Sequence, residues 1–230
     1  MREDLFHLVK AIYNSGVNET LDSESSRLLE KTYKNYIRSG LDLPPVPERE
    51  RFKELKKRLS VLTIDFSKRL NEENGGLWFT PEELEGVPDD VISGLKKGEQ
   101  NTANEGKVFL TYQYPDLFPT MKYAVSAETR KKVFLGNENK CNDNAPIFKE
   151  AIVKRDEKAR LLGFKSHAEF VLDEKMAKTP EKVMAFLNDL REKLAPGGEK
   201  ERKVLIDLKK KEREARGEKF DGKYYLWDHR

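Results

Sequence analysis

"RFKELKKRLSVLTIDFSKRL", Arg51 to Leu70, is the stretch whose spacing decides the fold class. Phe52, Leu55, Leu59, Leu62, Phe66 and Leu70 recur at steps of three and four, which lines them up along one side of an α-helix. Lysine and glutamate fill the other side. The spacing therefore predicts an amphipathic helix lying on a core, with Leu59 buried mid-stripe and Lys57 in water. "NEENGG" (Asn71 to Gly76) ends it.

The segments around this helix read the same way. Upstream, "DSESSRLLEKTYKNYIRSG" (Asp22 to Gly40) opens on an N-cap residue, Asp22, and closes on Gly40, suited to a left-handed C-cap. "LDLPPVP" between the two helices cannot be helical, because Pro44, Pro45 and Pro47 crowd into four positions. Downstream, Thr80-Pro81-Glu82-Glu83 carries a capping box and predicts another helix start, and Pro88 in "VPDDVISGL" repeats the device. "KVFLTYQY" (Lys107 to Tyr114) is too short and too rich in β-branched and aromatic residues for a helix. It predicts a strand, with "LWFT" (Leu77 to Thr80) as an antiparallel partner.

The second half returns to helix. "PIFKEAIVKRDEKARLLGF" places Phe148, Ala151, Ile152, Ala159 and Leu162 on one side, with Gly163 as C-cap and Phe164 after it. Ser166 to Glu169 forms a further capping box, and Thr179-Pro180-Glu181 starts "VMAFLNDLREKL". Pro196-Gly197-Gly198 is expected to kink or break that helix. From Glu199 to Lys219 both signs of charge alternate densely, and Val204, Leu205 and Leu208 predict a narrow buried stripe. The fold class is mainly α, with many helices and one small antiparallel β ribbon.

Composition bounds the function. The 230 residues carry 44 basic and 41 acidic side chains, a formal charge of +3, with the two signs interleaved. A nucleic-acid binder gathers its basic residues on one face, so no nucleic acid is expected. No apolar run approaches a membrane span, and Met1-Arg2-Glu3-Asp4 begins nothing like a signal peptide. The single cysteine, Cys141, forms no internal disulfide and fits a reducing, cytoplasmic location.

The residues taken alone offer no catalytic constellation. His7, His167 and His229 are scattered; "HAEF" at His167 lacks a second histidine four residues on, where Val171 stands, so the convergent ligands of a zinc site are missing. Cys141, in the polar stretch "NKCNDN", has no neighbouring histidine to activate it. Asp89 and Asp90 read as first-turn helix acids. Gly75-Gly76 reads as a loop hinge, since no lysine and serine follow at the spacing of a phosphate loop.

Four long segments carry a resemblance. "LDLPPVPERERFKELKKRLSVLTIDFSKRLNEENGGLWFTPEELEGVPDDVISGL", "YQYPDLFPTMKYAVSAETRKKV", "RLLGFKSHAEFVLDEKMAKTPEKVMAFLNDLREKLAP" and "FDGKYYLWDHR" resemble, in order, the family of thimet oligopeptidase, neurolysin and saccharolysin. The resemblance implies a largely helical zinc metallo-oligopeptidase, whose two lobes flank a deep channel that admits short peptides. It implies zinc held by two histidines of an H-E-x-x-H helix and a later glutamate, the motif's glutamate activating the bound water.

No histidine of this chain is followed by glutamate, so the resemblance implies no catalytic, cofactor-binding or metal residue here, and zinc only in the full-length enzyme. The chain is then expected to be an internal fragment ending inside the family's W-D-x-R-Y-Y-like segment, at Trp227-Asp228-His229-Arg230. Residues 1–124 are expected to be an upper helical part with the β ribbon, and 125–230 the truncated start of the catalytic-family domain. The piece is expected to be inactive channel wall and to self-associate through apolar surface at Tyr224, Tyr225, Leu226 and Trp227. Two other readings are a non-catalytic helical module that binds peptides or proteins, and a coiled-coil-like interaction protein. The latter suffers because heptad spacing lasts through only one helix.

Overall fold

The computed structural model describes residues 2–229, apart from the side chain of Asn18; Met1 and Arg230, the last residue of the quoted C-terminal segment, lie outside it. The described residues are mainly helical: α1 (Glu3–Asn14), α2 (Ser23–Arg38), α3 (Glu50–Asn71), α4 (Asp89–Gly94), α5 (Tyr114–Tyr123), α6 (Ala127–Glu138), α7 (Ala145–Leu161), α8 (His167–Leu172) and α9 (Pro180–Ala215). Strands β1 (Gly76–Phe79), β2 (Lys96–Lys97) and β3 (Val108–Thr111) form one antiparallel sheet in the order β1-β3-β2. The chain divides into two compact units. One comprises the residues up to Ser67 with Asn144–Phe186, the other Lys68–Asp143 with the residues from Leu187 onward.

In the first unit, α2 starts where Asp22 accepts the backbone N–H groups of Glu24 and Ser25, both at 3.0 Å. It stops at Gly40, whose φ of +89° is open to glycine and costly for other residues. A Cβ there would also lie 2.6 Å from the Phe52 ring. α1 packs on α2 through aromatic rings, with Tyr13 and Tyr33 stacked at 4.2 Å and Phe6 buried against Tyr33 and Tyr36. The proline turn is fastened by Arg49. Its guanidinium donates to the carbonyls of Leu41 and Leu43 at 2.8 Å each and to Glu3 at 2.7 Å.

The stripe on α3 is buried at Phe52, Leu55 and Leu62. Leu59 and Phe66 are half-buried and Leu70 is 46% exposed, so the expectation of a fully buried Leu59 is corrected. α3 meets α7 through ion pairs rather than apolar contact alone. Arg58 grips Glu150 at 2.8 and 2.7 Å, and Arg51 meets Glu157 at 2.7 Å. Correspondingly, of the apolar face expected on α7 only Ala159 is buried, while Phe148 and Ile152 stay about half exposed. Gly163 closes α7 with φ +86°, and the Phe164 N–H reaches back to the Ala159 carbonyl at 3.1 Å.

In the second unit, strand alternation is plain. Val108 and Leu110 of β3 point into a core with Phe79, Leu84, Val87, Leu95, Leu117, Met121 and Val133. Phe109 faces the other way, 5.0 Å from Trp78 of β1. The Thr80 capping box forms, Glu83 and Thr80 exchanging bonds at 3.0 and 3.4 Å, but only a single 3-10 turn over Glu82–Leu84 follows it. Gly86, at φ +90°, stops the turn there.

α9 runs through Pro196 without a break. Proline deletes one intrahelical bond, and the surrounding residues Glu181 to Asp189 and Arg191 to Lys203 offer no competing packing, being almost all exposed. The stripe expected from Val204, Leu205 and Leu208 is also corrected. Val204 and Leu208 are exposed, and the buried residue of that segment is Lys209.

The burial pattern of α3 ranks its alanine variants. Leu62→Ala should cost roughly 2–5 kcal/mol through lost burial and the cavity left behind. Leu59→Ala should cost less, and Lys57→Ala about 0.5 kcal/mol or less. Urea unfolding of the three variants checks the order, and a Lys57 variant as unstable as Leu62→Ala would refute the face assignment.

Candidate functional site

Buried charge concentrates where the last described residues fold back on α6 and α9. After the extended Tyr225, residues Leu226–Asp228 make one 3-10 turn. The turn is self-closing: the Tyr225 N–H donates to Asp228 Oδ2 at 2.9 Å, and the Asp228 N–H donates to the Tyr225 carbonyl at 3.0 Å. Into this turn α9 sends Lys209, whose Nζ donates to Asp228 Oδ2 at 2.7 Å and to the Lys223 carbonyl at 2.8 Å. α6 sends Arg130, which donates to Asp228 Oδ1 at 3.2 Å and to the Trp227 carbonyl at 3.1 Å. The same guanidinium donates to the carbonyls of Ala124 and Val125, at 2.7 and 3.0 Å. The side chains of Asp228, Lys209 and Arg130 are only 4%, 8% and 14% exposed.

Burial alone would push the Asp228 carboxyl upward. The Lys209 ammonium, the Tyr225 N–H and the Arg130 guanidinium together outweigh it, and hold the group below the usual aspartate range. Both carboxylate oxygens are engaged by cations, so Asp228 is poorly placed to accept a proton from a reacting group. Burial, followed by the field of Asp228, raises the Tyr224 hydroxyl. A cavity of about 340 Å³ opens beside the network, lined by charges of both signs, among them Glu212, Arg213, Arg216 and Glu218. The arrangement orients a chain segment; it presents no nucleophile.

Aromatic packing completes the anchor. Tyr225 stacks on Trp227 at 4.6 Å, and Trp227 packs on Phe134 and the sheet core. The apolar surface expected at Tyr224, Tyr225, Leu226 and Trp227 is uneven. Three of the four are half-buried, and only Leu226 stands largely exposed, at 72%.

The histidines do not converge. His7 is exposed on α1 beside Phe6, His167 opens α8 half-buried, and His229 is exposed with its ring edge-on to Tyr224. Among the described residues no group of three histidine, cysteine or acidic side chains could hold a metal ion. Cys141 sits at φ +56° with its Sγ 3.6 Å from the Arg69 carbonyl. Asp89 and Asp90 stand in the first turn of α4. The Gly75-Gly76 pair is explained by the sheet, since a Cβ on Gly76 would fall 2.2 Å from the Leu110 carbonyl oxygen.

Sequence reading missed Lys209 and Arg130. Lys209 lies in "LKKKEREAR", where nothing distinguishes the one buried lysine from its solvated neighbours. Arg130 follows the Ser126 cap in an unremarkable helical turn. The only signal was the aspartate of "YYLWDHR", an acid set among aromatics.

Residues 120–230 match peptidase family M3. The chain is 41% identical to saccharolysin of Saccharomyces cerevisiae, with all of this chain and 33% of that protein covered. It is 36% identical to the thimet-like oligopeptidase of Dictyostelium discoideum, over 99% of this chain and 34% of the relative. It is 27% identical to oligopeptidase A of Escherichia coli, over 86% of this chain and 31% of the relative. The chain thus spans about a third of the length of the curated relatives it matches.

Removing one member of a buried charge network leaves the others desolvated and unpaired. Asp228→Asn should therefore cost about 3 kcal/mol or more at neutral pH. Lys209→Met combined with Asp228→Asn should lose less than the sum of the two single changes. A carboxyl held below its ordinary range gives stability that is fully present above about pH 3.9 and is lost as the pH falls through its lowered value. The gap between wild type and Asp228→Asn should accordingly close on acidification below about pH 4. Denaturant unfolding across pH checks this, and a gap unchanged in acid would refute it.

Proposed function

Since the chain belongs to the thimet oligopeptidase family, we propose that it is part of a metallo-oligopeptidase that hydrolyses short peptides. Similarity to peptidases along the entire chain supports this reading. Within that enzyme the chain supplies helical scaffold, the wall of a peptide-admitting channel, while the chemistry belongs to residues outside these 230. Along the sequence, residues up to about 124 are assigned to an upper part and those from 125 to the start of the catalytic-family domain, near where the family match begins at residue 120, a division that cuts across the core of the second compact unit. The buried network on Asp228 fits a structural role at the approach to the catalytic part.

Zinc is proposed for the whole enzyme only. The histidines here are dispersed, and none begins an H-E-x-x-H motif, so the residues present do not fit a zinc site. A reducing, cytoplasmic setting is proposed from the single cysteine. Among the described residues no helix is long and apolar enough to cross a membrane.

The 230-residue chain should not cleave internally quenched oligopeptides, with or without added zinc. A protein carrying the same region together with an H-E-x-x-H helix and a later glutamate should bind one zinc and cleave them, and a chelator should abolish that turnover. Chelator-sensitive cleavage by the 230-residue chain would overturn the division of labour. A metal-loaded longer protein inert toward peptides would overturn the peptidase reading.

A further inference from the structure

A second charge pattern lies in the first unit, on the groove between α3, α7 and the start of α8. The cavity there measures about 390 Å³ and is lined by Lys56 and Ser60 of α3, Arg155 and Lys158 of α7, and His167 of α8, with Leu59 and Ile64 on its apolar flank. Elsewhere on the same two helices several cations meet carboxylates. Arg51 pairs with Glu157, Arg58 and Lys154 with Glu150, and Arg160 with Asp156. Lys56, Arg155 and Lys158 make no ion pair among the described residues, although they share one concavity. Lys158 is half-buried, its ammonium 5.4 Å from the Phe170 ring, whose face also carries the Arg38 guanidinium at 3.9 Å. His167 Nδ1 is buried with no hydrogen-bond partner.

Lys56 and Arg155 are exposed and Lys158 is half-buried; the three like charges around the groove repel one another, and no carboxylate among the described residues pairs with them to offset that repulsion. An anion would. We propose that this groove is a binding site for a compact polyvalent oxyanion of the phosphate or polyphosphate class. A single carboxylate would neutralise one of three charges, whereas a phosphate-class anion carries two or more. The Ser60 hydroxyl and His167 add neutral polar groups beside the three cations. The apolar flank of Leu59 and Ile64 leaves room for an organic group carried by the phosphate.

The test uses the 230-residue chain and inorganic pyrophosphate at constant ionic strength, with binding read by calorimetry and by amide shifts in a ¹H–¹⁵N spectrum. One site is expected, with shifts confined to residues 56–64, 155–158 and 167. Lys56→Glu and Arg155→Glu should each weaken binding by about tenfold or more, while Lys57→Glu, one position along α3 and outside the groove, should leave it unchanged. Thermal melts establish that each variant is folded, and Arg155→Gln serves if the glutamate is not tolerated. Orthophosphate binding more weakly than pyrophosphate supports a polyphosphate ligand, and equal affinity supports a single phosphoryl group. The proposal fails if pyrophosphate does not bind, if the three glutamate variants bind alike, or if a glutamate-rich peptide binds where pyrophosphate does not.

Discussion

The carboxylate of Asp228 sets the terms for the second unit. Moving an ion out of water costs several kcal/mol even after relaxation, and here a carboxylate, an ammonium and a guanidinium are buried together. The geometry answers that cost bond by bond. The two oxygens of Asp228 accept from Lys209, Arg130 and a backbone N–H, and the spare donors of both cations find carbonyls of the same fold. Apolar side chains in these places could be as stable, but they would not fix direction. In this structure the donors of Arg130 and Lys209 set the direction in which α6 and α9 meet the Leu226–Asp228 turn.

The first unit is organised differently. Its helices meet through aromatic stacking at one end and exposed ion pairs at the other, with the core reduced to residues such as Phe6, Leu41, Phe52, Leu55 and Leu62. Surface pairs contribute little each, so the order of this unit rests on the few buried side chains and on Arg49, whose guanidinium ties the proline turn to α1. Lys56, Arg155 and Lys158 share one groove without a carboxylate partner among the described residues, and the proposed anion would supply the missing charge.

What was legible in the sequence follows from which interactions are local. The Asp22 cap and the left-handed glycines at Gly40 and Gly163 depend on neighbours within a few residues, and each appears where its pattern put it; the strand expected over Lys107 to Tyr114 forms only at Val108–Thr111, and Tyr114 opens α5 instead. The fold class followed from these. Leu59 and the α7 face were misjudged because periodicity reports which side is apolar, not whether another element covers it. The helix expected after Thr80 shrank to one turn because a capping box satisfies N–H groups without obliging the chain to continue. Lys209 was invisible for a deeper reason. Its partner lies 19 residues away on a separate turn, and no local signal separates a lysine that will be buried from the solvated ones beside it.

Neither unit is contiguous in the chain. The first is interrupted after Ser67 and resumes at Asn144; the second is interrupted after Asp143 and resumes at Leu187. On a ribosome adding about 5–20 residues per second, α3 therefore emerges on the order of 4–15 s before α7, its partner in the ion pairs, has been made. Through that interval Phe66 has no Phe148 to pack on, Arg58 lacks Glu150 and Arg51 lacks Glu157. The β ribbon is translated inside the same window, but Trp227, which packs against its core, follows more than a hundred residues later. Vectorial synthesis thus delivers each unit in instalments, and α3 must stay in solution until α7 has been made. Its dense lysine and arginine face then serves the nascent chain as much as the finished protein.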